Sequence, residues 1–210
     1  MASPAELTQT VSDATGVPLA TVVDIDRKLL KAGLRTKGGR GLNAARMQPL
    51  DAARLLMAIL ASPQANEAAT AVERYAQTGV DKSLSSEGQF SATGLDDLAA
   101  LPIRHSFVDA LAAIMTSATA GSLATLESEA GQRVQPSIEI FAFTRATRGR
   151  IRITGLPNGL TAGVEYILDG RSRIGSPDTA TGDLEQSRRI TERTIFPVAE
   201  LLRENPHVRG

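Results

Sequence analysis

The chain contains no cysteine and no tryptophan, and only two histidines, His105 and His207, in 210 residues. Without cysteine, disulfides and thiolate metal sites are excluded. The two histidines stand far apart in sequence, so each is a poor candidate for a metal ligand or a catalytic base. Aromatic residues make up 3% of the chain, so its core must be aliphatic, and the 42% hydrophobic content supplies enough Leu, Ile, Val and Ala to build one. The longest apolar run, residues 55–61, is far too short to cross a bilayer. The N-terminus has no charged region followed by an apolar one, so no secretory signal is expected. A soluble, cytoplasmic protein of bacterial or phage style follows, with no membrane partner.

Signatures of catalysis are missing too. There is no Walker-type loop: in TKGGRGLN the lysine precedes the glycines, and no apolar strand leads into them. Neither G-x-S-x-G nor H-E-x-x-H occurs. The acids are scattered, with Asp96 and Asp97 at a helix start and Glu127 and Glu129 in a run of small residues, so no paired carboxylate site is visible. The sequence therefore predicts no catalytic residue, no metal and no cofactor, and a protein that is not an enzyme.

What the chain does have is a local excess of positive charge. Overall, 23 cations balance 23 anions, yet residues 27–46 hold seven cations and no carboxylate. Such a local field attracts polyanions. The charge sits on an organised stretch. Gly16-Val17-Pro18 breaks the chain, and Pro18 suits a helix start, where its missing N–H would have no partner anyway. From Leu19 the pattern is helical: Val22, Ile25 and Leu29 cluster on one side, opposite Ala20, Thr21, Asp24, Arg27, Lys28 and Lys31. Gly33 suits the helix end. Leu34 and Leu42 then bracket RTKGGRG, a loop whose glycines let its backbone approach another. Asp24 is expected to pair with Lys28 one turn on. The other reading, acceptance from a cytosine amino group, is set below it. Asp26 falls among the apolar residues, so it either pairs with an arginine of the loop or the wheel is slightly rotated.

The ATGVP turn, the helix of small and charged residues, its KAGL ending and the basic glycine-bearing loop together resemble the winged helix-turn-helix of bacterial transcription regulators. The resemblance covers roughly residues 4–62. The next helix, PLDAARLLMAILA, resembles the MerR-like arrangement, in which a helix packs behind the wing. The turn and KAGL also look like the IclR-type DNA-binding domain. The resemblance implies that Ala20, Thr21, Asp24, Arg27 and Lys28 face the major groove. It also implies that Arg35, Lys37, Arg40 and Arg46 meet phosphate or the minor groove, with Lys31, Gly38 and Gly39 part of the same surface.

Taken in order, the chain predicts a first helix opened by Ser3 or Pro4 and running through AELTQTVSDATG to residue 16, with Leu7 and Val11 inward, and a core helix from Pro49 to residue 61. Within the latter, Arg54 is expected to reach solvent rather than DNA. Ser62-Pro63 marks a boundary. Helices are expected at 66–77, 95–101 and 104–117, with a loop at 81–94; the small-residue run from 118 to 131 reads equally well as helical or loose. From Pro136 the period changes, and strands are expected at 137–144, 150–154 and 164–168. A loop spans 169–183, and a final helix runs from residue 183 or 184 to 204, kinked at Pro197. The fold class is α+β, mainly α, in three parts: residues 1–62 a winged helix-turn-helix, 63–135 helical and suited to oligomerisation, 136–210 a small antiparallel sheet plus a C-terminal helix. Arg145, Arg148, Arg150 and Arg152 on the first hairpin are either a second nucleic-acid contact or the solvated face of the sheet, with Glu139 and Glu165 offsetting them; the second reading is favoured.

Three functions remain open. The first is sequence-specific binding of double-stranded DNA by a regulator, as a homo-oligomer with a dimer favoured and any ligand unknown. The second is a DNA-packaging adaptor, since the outline loosely resembles phage small terminase subunits. The third is a structural protein with a merely solvated basic loop. Seams for a dimer are the 64–77, 104–117 and final helices.

Overall fold

The computed structural model describes residues 2–38, 45–81, 90, 93, 95–124, 135–144, 147–156, 161–168 and 186–203. Its first helix, α1 (Pro4–Thr15), starts where the sequence provides a capping box. Ser3 Oγ accepts from the Glu6 N–H at 3.3 Å, and Glu6 Oε2 accepts from the Ser3 N–H at 2.7 Å. Gly16, at φ +73°, ends it in the left-handed region, and Pro18 opens α2 (Leu19–Lys31). The third helix, α3 (Pro49–Ala61), buries ten of its thirteen residues. It packs against α2, α4 (Ala68–Tyr75) and α6 (Phe107–Ala120), and against the sheet. A helix apolar on every side belongs at the centre of a core. A short helix, α5 (Asp96–Ala99), lies against α6.

Five antiparallel strands form one sheet in the order β1-β4-β3-β2-β5: β1 (Thr78–Val80), β2 (Ser137–Phe143), β3 (Arg148–Thr154), β4 (Ala162–Leu168) and β5 (Ser187–Thr191). Its inner face buries Ile138, Ile140, Ile151, Ile153, Val164 and Ile190 under α3 and α7 (Glu192–Leu202). Gly149 on β3 leaves room for Phe107: a β-carbon there would come within 2.6 Å of its ring. Phe107 in turn stacks between Tyr75 and Tyr166, with ring centroids 5.7 and 5.1 Å away. The Tyr75 hydroxyl reaches the Phe143 and Arg148 carbonyls at 2.9 and 3.0 Å, across the mouth of the β2–β3 hairpin. Burial pushes its pKa up to about 12, so it stays a donor. His105 is equally structural. Its Nδ1 faces the Pro102 carbonyl at 2.7 Å, which can only accept, so Nδ1 carries the proton and Nε2 accepts from the Tyr166 hydroxyl at 2.8 Å.

The α+β class expected from the sequence holds, with seven α-helices among the described residues. Three differences matter. The expected final helix begins later: residues 187–191 form β5 on the edge of β2, and α7 starts at Glu192, where the Thr191 hydroxyl accepts from the Arg193 N–H at 3.4 Å. Residues 78–80, expected as the boundary of a helix and a loop, pair with β4 as β1. Helix α6 starts at Phe107 rather than residue 104, because Ser106 and Asp109 form a capping box. Pro197 lies within α7, where its missing N–H leaves the Arg193 carbonyl without a helical partner. The three expected parts share one apolar core: a continuous cluster of buried residues includes Leu7 and Val11 of α1, Val72 and Ile114 of the middle, and Ile151 and Ile195 near the end.

Candidate nucleic-acid interface

Helix α2 separates its residues cleanly. Val22, Ile25, Asp26 and Leu29 are buried against the core. Ala20, Thr21, Asp24, Arg27 and Lys31 are exposed and Lys28 is half-buried, so the five residues expected to face the major groove share one solvent stripe with Lys31. Asp24 does not compete for a ligand there, because Lys28 Nζ holds its Oδ2 at 2.6 Å. That is the expected i,i+4 pair, and it leaves three cations against one carboxylate on the stripe.

The segment that follows α2 is fastened to the body at its root. Arg35 Nε lies 3.0 Å from Asp26 Oδ1, with both side chains about one-tenth exposed (10% and 9%). The pairing of Asp26 with an arginine of the loop is thus present, but it turns Arg35 inward. Arg35 also donates to the Thr36 carbonyl at 3.0 Å. Arg35 is thus half-buried, with its guanidinium shared between the Asp26 carboxylate and the Thr36 carbonyl. Burial pushes the Asp26 carboxyl above its ordinary value, against the pull of Arg35, and nearby Asp51 adds to the rise. Asp51 of α3 accepts from the Thr36 N–H at 2.7 Å and the Gln48 N–H at 2.9 Å. Arg54 does not point to water as expected; its Nη1 donates to the Leu34 carbonyl at 3.0 Å. The two sides of the segment then meet, since a β-carbon on Gly38 would overlap the backbone of Ala45. Lys37 and Gly38 are exposed beyond this neck. Gly39 and Arg40 lie outside the described residues. Arg46 is exposed but stands apart from Thr21: it lines a cleft of about 410 Å³ beside Ala2, Thr116, Thr119 and Arg203, at the opposite end of α1.

Thr21 borders a second cleft, of about 670 Å³, between the α1–α2 turn, the end of α3 and the β5–α7 joint. Arg188, Arg189 and Arg193 line it. These residues escaped the sequence reading because 183–204 was assigned to one helix; the visible signal was three arginines in the seven residues SRRITER. Arg188 points inward and its Nη1 donates to the carbonyls of Ile59 (2.8 Å) and Ser62 (2.7 Å), satisfying groups that the end of α3 leaves open.

On the outer face of the sheet, Arg150 pairs with Glu165 and Arg189 with Glu139, the latter at 2.8 Å. Arg148 sits 4.0 Å from the centre of the Phe143 ring. Glu165 therefore offsets Arg150 of the hairpin as expected, whereas the ion pair of Glu139 is with Arg189 of β5 rather than with a hairpin arginine; Arg145 lies outside the described residues. Among the described residues, no group of three or more His, Asp or Glu is placed to hold a metal ion, and no helix is long and apolar enough to cross a membrane.

The arrangement defines a class only coarsely, as an α+β protein with a basic helix stripe and an arginine-lined cleft. No protein-family model, no curated protein and no solved structure matches the chain significantly.

Proposed function

We propose that the chain binds double-stranded DNA sequence-specifically, as a helix-turn-helix transcription regulator acting as a homodimer. Helix α2 enters the major groove. Ala20, Thr21 and Arg27 meet base edges, and Lys28, Lys31, Lys37 and Arg40 supply positive charge toward phosphate. The observation that carries this reading is the single solvent stripe of α2, with its one carboxylate already neutralised. The order of helix, turn, helix, basic glycine-bearing segment and helix adds support, as does the pinning of that segment's root by Asp51 and Arg54 of the helix behind it. A homodimer follows from energetics, because one such module buries too little surface for tight binding and two gain effective concentration.

The test is retention of random and selected duplexes at several salt concentrations, with light scattering in parallel. Four to five neutralised phosphates give a slope of log K against log salt of roughly −4. A slope near zero overturns the proposal. A ring of many copies with no sequence preference replaces the regulator with a packaging role.

A further inference from the structure

The cleft beside Thr21 has a composition that DNA backbone contacts do not require. Part of its lining is apolar, from Val17 and Ile25 at the α1–α2 corner, Ile59 and Leu60 of α3, and Ile190 of β5. The rest is largely cationic and hydroxylic. No carboxylate occurs among the described residues that line it. Glu192 is next in sequence to Thr191 and Arg193, but its carboxylate turns to β2, where it accepts from the Ile138 N–H at 2.9 Å.

The three arginines are not equivalent. Arg188 is spent on the carbonyls at the end of α3, and Arg189 is held by Glu139. Arg193 is exposed and makes no hydrogen bond or close ion pair with a described residue; its charge is felt by the adjacent Glu192 carboxylate, which is itself turned to β2. A second observation marks the same wall: Ser62 is 3% exposed, and its Oγ is buried with no hydrogen-bond partner among the described residues. Buried hydroxyls in proteins are nearly always paired, and an orphan beside a cleft is a group waiting for one. A volume of about 670 Å³ falls within the range of small-molecule sites.

We infer that this cleft is a binding site for a small organic anion, with a carboxylate or phosphate head held by Arg193 and the hydroxylic wall and a short apolar body resting on Val17, Ile25 and Ile190. An occupant touches α2, α3 and the β5–α7 joint at once, so its binding energy bears directly on the placement of α2. The assignment is independent of DNA binding, and its test uses the protein alone.

The probes are hexanoate and hexyl phosphate, with hexan-1-ol and inorganic phosphate as controls, in calorimetric titration and thermal melting. A ligand of about eight to eleven non-hydrogen atoms has Kd on the order of 1 mM or below. At ~10 mM it raises Tm by about 3 °C or more. Arg193→Ala, at an exposed position, reduces affinity about tenfold without changing the unliganded Tm. Ser62→Ala leaves the unliganded protein as stable or more stable, because it removes an orphan, and still weakens the anion severalfold. Equal stabilisation by hexan-1-ol, an unchanged response in Arg193→Ala, or no response to either anion overturns the assignment. So does an equal response to inorganic phosphate alone, which reduces the cleft to a general anion site. Loss of duplex retention in Arg193→Ala without any response to hexanoate gives these cations to the DNA backbone instead, and overturns it as well.

Discussion

Asp26 is the residue at which charge and burial conflict most directly. It is 6% exposed, and its folded pKa lies above its ordinary 3.8 because burial outweighs the attraction of Arg35. A carboxyl with a raised folded pKa binds its proton more tightly in the native state, so its contribution to stability falls as pH rises from 3.8 through that raised value. In urea unfolding at a series of pH values rising from 3.8, wild type should lose stability relative to Asp26→Asn as the carboxyl ionises; a parallel pair of profiles refutes the sign. Gly149 poses a steric version of the same problem. Gly149→Ala places a methyl group against the Phe107 ring and should cost about 1–3 kcal/mol. Adding Phe107→Leu should recover part of that loss, and strictly additive losses in the double variant contradict the clash. Some of this detail was legible in sequence. Asp24 and Lys28 stand one helical turn apart, and Asp26 is the one carboxylate among the apolar positions of its helix. The bond from Arg54 to the Leu34 carbonyl was not legible, because only the fold brings together groups twenty residues apart.

The elements divide along a similar line. Helices α1, α2 and α3 carry their boundaries locally, in Ser3 with Glu6, in Pro18, in Gly16 and Gly33, and in Pro49. Strands β1 and β5 do not, since each is short and draws its hydrogen bonds from a partner about fifty to ninety residues away. Residues 187–191 have a helix-compatible composition that pairing with β2 overrides. Arg188 makes that strand part of the core's polar accounting, so Arg188→Ala, which strands the carbonyls of Ile59 and Ser62, should lower stability by about 1–3 kcal/mol in denaturant melts. Helix α2 carries the functional prediction at this scale. Lys28→Ala and Lys31→Ala should weaken binding to every duplex by a similar few-fold factor. Thr21→Ala should instead change which sequence is preferred in a selection from random duplexes. Silence from all three in folded protein removes α2 from the interface.

At the scale of the molecule, the three parts expected from sequence are tied by α3 and by the packing of α1 on α7. Composition shifts mark where elements change type, and they carry no information on which elements share a core. Residues 1–62 end α3 with most of its faces bare, since α4, α6 and the sheet that cover them lie beyond. The excised segment should therefore be largely unfolded by circular dichroism and amide exchange. The whole chain should melt in one cooperative transition, and an independently folded 1–62 would contradict the shared core.

The docking of α1 on α7 also sets a schedule for synthesis. About 180 residues separate the end of one from the start of the other, and ribosomes add roughly 5–20 residues per second. For something like ten to thirty-five seconds the nascent chain holds an amphipathic helix whose Leu7 and Val11 have α2 to pack on but not yet α7, so that stripe stays partly bare until the last helix emerges.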